Sequence, residues 1–212
     1  MIIEEFLTWL VGKAPAFIAL AAVTGAVIAV LGYRKWLPEN VGKRKIELTE
    51  DILADFYRAR DVIIWARFPV GNPHEGNTRP ANENEAESER SLKNAWFRPI
   101  ERLNNEGKLF SSIQAKKYRA MAYFGTDAGQ PFQDLKAIHT KIVVSAGMLI
   151  STYQADENAP PGRGAWEEAI GVSVEPDSQD KIAKEVDELI ERVESLFGQW
   201  LMRGRVKTPK KS

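Results

Sequence analysis

Residues Ala14 to Tyr33 form an unbroken run of 20 residues without a charged side chain. A helix rises about 1.5 Å per residue, so this run reaches about 30 Å, the thickness of a bilayer's hydrocarbon core. Pro15 sits near its start, where a missing N–H costs little. Trp9 precedes the run, and Tyr33 and Trp36 follow it. Indole and phenol rings favour the two membrane interfaces. A buried core helix rarely stays uncharged for so long. A cleaved signal peptide needs a basic start and a small-residue cleavage site. Here the start carries Glu4 and Glu5, and the run is followed by Arg34, Lys35 and Trp36. The segment therefore reads as an uncleaved, single-pass signal anchor over 14–33.

The flanking charges orient that anchor. Only Lys13 lies on the N-terminal side, against Arg34, Lys35, Lys43, Arg44 and Lys45 on the other. Cationic flanks stay in the cytoplasm. The expectation is a short extracytoplasmic segment over 1–13, a basic juxtamembrane linker over 34–47, and a cytoplasmic domain on an inner membrane. Ala22, Gly25, Ala29 and Gly32 recur at steps of 3, 4 and 3. They offer a small-residue face on which membrane helices can approach closely.

Charge is partitioned along a chain of zero formal net charge. Residues 34–45 carry a net +4 and residues 203–212 a net +5, whereas 46–202 carry −8. An acidic body between basic ends argues against nucleic acid as a partner. The basic tail suits an anionic leaflet. With no cysteine, disulfide and thiolate chemistry are excluded.

Residues 48–202 read as a bundle of about five helices, making the chain all-α. Thr49 looks like an N-cap, and Ile52, Phe56, Ala59, Ile63 and Ala66 share one face of a helix stopped by Pro69. Pro- and Gly-rich residues 69–82 form a loop. Glu83, Glu85, Glu87 and Glu89 read as a solvated start to a second helix. Its apolar face is Leu92, Trp96, Ile100 and Leu103, and Pro99 should kink or break it. A third helix spans about 107–124, with Phe110, Ile113, Met121 and Phe124 inward. In the fourth, Leu135, His139, Ile142, Ala146, Leu149 and Tyr153 share a face. Ile142 to Ile150 is apolar all round, which predicts a central helix. Residues 156–177 read as a long Pro/Gly-rich loop with a short extended piece at Ile170, Val172 and Val174. Ser178 is expected to cap the last helix, whose seam is Ile182, Val186, Leu189, Val193, Leu196 and Trp200. That a/d seam is too short for a free coiled coil and suits a bundle.

No chemistry is visible in motifs. There is no phosphate loop, no nucleophile elbow, and no Glu-x-x-His pair at either His74 or His139. No catalytic residue, metal ligand or cofactor is assigned. His139 reads as a histidine at the core boundary, and His74 as surface. Tyr57, Arg58 and Arg60, and likewise Lys116, Lys117, Tyr118 and Arg119, mix aromatic and basic side chains but read as solvated faces.

The leading expectation is a membrane-tethered cytoplasmic scaffold or protein-interaction module. Its partners would be the bilayer and either a protein or its own copies. The alternative is a membrane-anchored enzyme or ligand-binding domain, its site between loops 69–82 and 156–177 and walled by Arg163, Trp166, Glu167 and Glu168. A third is a regulatory or stress-response protein acting on the bilayer itself.

Overall fold

The structure, a computed structural model, describes residues 2–153, 160–172 and 180–205. The described residues contain six α-helices and one 3-10 turn, with no strand among them. They are α1 (Ile2–Ala66), α2 (Glu87–Asn105), α3 (Gly107–Phe124), α4 (Gln130–Ser151), α5 (Arg163–Ile170) and α6 (Lys181–Arg205), with the 3-10 turn Thr126–Gly129 between α3 and α4. The chain divides into two compact units, Met1–Glu47 and Leu48–Ser212.

α1 corrects one expectation directly. Residues 34–47, read as a linker, are helical: α1 continues through Pro38 and Gly42 without a break. Proline removes one backbone hydrogen bond, at about 3 kcal/mol. Breaking the helix would leave four unpaired groups at each new end and require a second nucleation. Continuity is the smaller loss. Thr49, expected to cap a new helix, instead lies buried inside α1, its hydroxyl without a partner. α1 is also the one described helix long and apolar enough to cross a membrane.

In the second unit, α1 from Leu48 onward is a core helix. Ile52, Phe56, Ala59, Ile63 and Ala66 are all fully buried, on the face their spacing indicates. α4 packs against α2, α5 and α6, and forms an antiparallel hairpin with α3. Phe132 of α4 meets Phe56 of α1 edge-on, with centroids 5.2 Å apart. Phe124 at the end of α3 sits 5.3 Å from Phe197 of α6 and 5.5 Å from Trp200. Aromatic pairs in this geometry add about 0.5–1.5 kcal/mol beyond the area they bury. Ile182, Val186, Leu189 and Val193 of the α6 seam are buried, and Leu196 is half-buried.

Four local expectations change. α2 continues without a break through Pro99, which is buried within it. Leu92, placed inward by spacing, is instead exposed. α4 is not apolar-buried all round, because Val144 and Met148 face outward and are exposed. The loop 156–177 contains the helix α5, with Trp166 half-buried against the core, so Ile170 ends a helix rather than starting an extended piece. Ser173, Val174, Ser178 and the tail from residue 206 lie outside the described residues. The observed cap of α6 is Asp180, whose Oδ1 accepts from the backbone N–H groups of Ile182 and Ala183 at 3.0 and 3.1 Å.

These burial assignments separate core from surface on a single helix. Replacing Leu149 by Ala should destabilise the protein by about 2–5 kcal/mol, whereas Val144→Ala should cost less than about 0.5 kcal/mol. Urea unfolding of both variants checks this, and similar losses at the two positions would place the faces of α4 wrongly.

Candidate interaction surface

The end of α1 creates a satisfaction problem. The last carbonyls of a helix have no intrahelical donor, and here they lie against α2. Arg102 of α2 supplies the donors. Its Nη1 reaches the carbonyl oxygens of Trp65 (3.1 Å) and Phe68 (2.7 Å), and its Nη2 reaches that of Val70 (3.0 Å) and Glu75 Oε2 (2.5 Å). The same guanidinium stacks over the Trp65 ring at 4.7 Å. One side chain thus ends α1 and fixes the first turn of the loop that follows.

Arg67 does the same for the next two elements. Its Nε donates to the carbonyl of Ala169, and Nη2 to that of Glu168, both in the last turn of α5. Nη1 and Nη2 each lie 2.8 Å from a different oxygen of Asp180, the cap of α6. Burial pushes the Asp180 carboxyl up, but Arg67 and the two capping N–H groups outweigh it and hold the pKa below the usual range. Gly171 at the end of α5 has φ +82°, and a Cβ there would meet the Arg67 carbonyl oxygen at 2.2 Å. Only glycine fits that approach.

Arg79 is the third such side chain. It donates to Asn94 Oδ1 and makes a two-pronged pair with Glu85, the contacts being 3.0 and 2.5 Å. Glu85 is thereby removed from the solvated acidic stretch expected at 83–89. Its hydrogen bonds with Arg79 lower its pKa to about 2. Glu101 completes the loop by accepting from the Gly76 N–H and the Thr78 hydroxyl.

The residues proposed as walls of a site between the two loops hold one another or their neighbours. Arg163 pairs with Glu167 at 2.8 Å and lies over the Trp96 ring at 5.6 Å. Glu168 pairs with Lys181 at 2.9 Å. Trp96 also meets Tyr153, 5.9 Å away. His139 is half-buried with its ring 4.7 Å from Phe110, and burial lowers its pKa. His74 is exposed. Among the described residues, no group of three or more His, Asp or Glu is placed to hold a metal ion.

The mixed basic and aromatic faces divide. Tyr57, Arg58, Arg60 and Lys116 bond to Glu194, Glu106, Asp187 and Asp55 respectively. Lys117 and Tyr118 instead line an open groove of about 890 Å³ between α3 and α4, with Gln114, Gln133, Lys136, Ala137, Thr140, Lys141 and Val144. Sequence reasoning missed this groove because Val144 was counted as core.

In the first unit, Trp9, Tyr33 and Trp36 are exposed, as are Lys13, Arg34, Lys35, Lys43 and Arg44. Lys45 is half-buried, and Lys43 lies 3.5 Å from Glu39. Ala22, Gly25, Ala29 and Gly32 are exposed along α1, and a Cβ on either glycine would meet nothing within 4 Å. Compared with protein families, curated proteins and solved structures, the chain matches none.

The carboxylate shifts fix how acid opens the loop after α1. Glu75 and Glu85 both have folded pKa values below 4.5, the latter about 2. A depressed carboxylate stabilises the folded loop fully above the unfolded pKa, and that stability is lost as pH falls through the folded value. Protection factors of the amides of 72–80, each exchange rate taken relative to the intrinsic rate at that pH, should therefore hold down to about pH 4.5 and fall toward pH 2. Glu85→Gln should abolish much of that pH dependence. Opening of the wild-type loop already at pH 6 would contradict the assignment.

Proposed function

We propose that this chain is a membrane-tethered helical interaction module: a single N-terminal anchor joined to a cytoplasmic bundle that holds a protein partner, or its own copies, at the inner face of a membrane. The observation carrying this reading is α1. One continuous helix contains the 20-residue uncharged stretch 14–33, exposed at every described position from Ile18, and then the buried face Ile52 to Ala66. Solvent exposure of an apolar run this long favours lipid as its surroundings.

The flanking charges support N-out, C-in topology, with Arg34, Lys35, Lys43, Arg44 and Lys45 on the cytoplasmic side and Trp9, Tyr33 and Trp36 at the interfaces. The face of Ala22, Gly25, Ala29 and Gly32 gives α1 a surface suited to another helix in lipid. The basic residues 203–212 suit the same leaflet. On the bundle, the polar side chains near the two long loops are committed to one another, which favours a binding role over catalysis there.

Reporter fusions that work only in the cytoplasm should be active at residue 212 and silent at residue 1. Crosslinking of the tagged full chain in its native membrane should recover a reproducible partner or a second copy. The reverse fusion pattern would overturn the topology, and monomer alone would overturn the module.

A further inference from the structure

We propose that the α3–α4 hairpin is the docking face for an acidic amphipathic helix of a partner protein. The inference deepens the interaction-module reading and rests on it.

The hairpin is a basic island. Residues 107–151 carry six basic side chains, Lys108, Lys116, Lys117, Arg119, Lys136 and Lys141, against Asp127 and Asp134. The rest of the body, 46–106 and 152–202, carries twelve basic side chains and twenty-four acidic ones. α3 contains no acid at all. Elsewhere in 46–202, ten of the twelve basic side chains pair with a carboxylate among the described residues, Arg90 and Arg98 being the exceptions. Lys117 and Lys136 have no such partner among the described residues, and Lys141 has only Glu185, at 2.6 Å on the groove's far side.

The same place is concave and partly apolar. Gln133, Ala137, Thr140 and Val144 follow one another along α4 at steps of 4, 3 and 4, facing Gln114, Lys117 and Tyr118 of α3. Tyr118 is 73% exposed and Val144 53%. Val144 and the Tyr118 ring, held open to water beside Lys136 and beside Lys117, whose ammonium lies 5.7 Å from the Tyr118 ring centroid, describe half of a helix-in-groove contact. The missing half has leucine-like side chains for Ala137, Val144 and the Tyr118 ring, and carboxylates for Lys117 and Lys136. Gln133 and Thr140 can bond polar groups at its edge.

One other anionic ligand fits less well. Single-stranded nucleic acid calls for several stacking rings and arginine, whereas the groove offers one tyrosine and no arginine.

The test uses the full chain in detergent micelles and a fluorescent peptide of about 14 residues, built from Glu and Leu at helical spacing so that one face is apolar. Binding read by anisotropy should weaken with salt. It should fall at least about tenfold in the Lys117→Glu, Lys136→Glu double variant, since two attractions become repulsions. The Lys108→Glu, Arg119→Glu variant has the same net charge but spares the groove, and should bind within about threefold of the parent. Tyr118→Ala should weaken binding without steepening its salt dependence. No binding, equal loss in both double variants, or displacement of the peptide by oligo-dT or phosphatidylglycerol vesicles would overturn the proposal. Failure here while native-membrane crosslinks map to other faces would overturn the groove and leave the module standing. Absence of both would overturn both.

Discussion

The carbonyl groups that end α1 decide how the bundle is assembled. A helix that stops inside a protein must hand its last acceptors to donors from elsewhere. Arg102 takes those of Trp65 and Ala66, and with them the loop carbonyls of Phe68 and Val70, and so ties α2 and the following loop to the end of α1. Arg67, one residue past α1, takes the last carbonyls of α5 and the capping carboxylate of α6. Both guanidinium groups are nearly inaccessible. Each is charged, planar and multiply bonded, so neither lysine nor a neutral side chain could reproduce the contacts. Gly171 is then required, because the chain passes against the backbone of Arg67 itself.

The same requirement explains why α1 continues where a linker was expected. Hydrogen bonds internal to the helix satisfy the backbone equally well in lipid, at an interface and in a packed core. A break anywhere between Tyr33 and Leu48 would expose acceptors and donors on both sides. Pro38 costs one bond, and Gly42 a little backbone entropy. Neither outweighs two new helix ends.

What could be read from the chain follows the range over which each signal acts. Faces set by period alone were legible: Ile52 to Ala66 on α1, and Ile182 to Val193 on α6, are buried where their spacing puts them. So was the uncharged stretch 14–33. Contacts between distant residues were not legible. Arg67 to Asp180 and Arg102 to Glu75 join residues 113 and 27 positions apart, and an isolated arginine carries no local mark of being buried. Glu85 looked like one of four solvated acids until Arg79 was seen beside it. The continuation of α2 past Pro99 and the helix α5 were not legible, because packing on α4 outweighs local helix-breaking preferences. Val144 was misjudged because an apolar run does not state which of its members face water, and that error concealed the groove.

In the proposed anchor, α1 crosses the membrane and continues into the core of the bundle. The chain has no cysteine, so single cysteines can be introduced along 10–48 with no background. Labelling with a membrane-impermeant maleimide in oriented native vesicles reads the environment of each position. Cysteines at 18–30 should stay unlabelled, those at 34–47 should label only from the cytoplasmic side, and those before 13 only from the other. Uniform labelling at Val23, Val27 and Ile28 from either side would contradict the account.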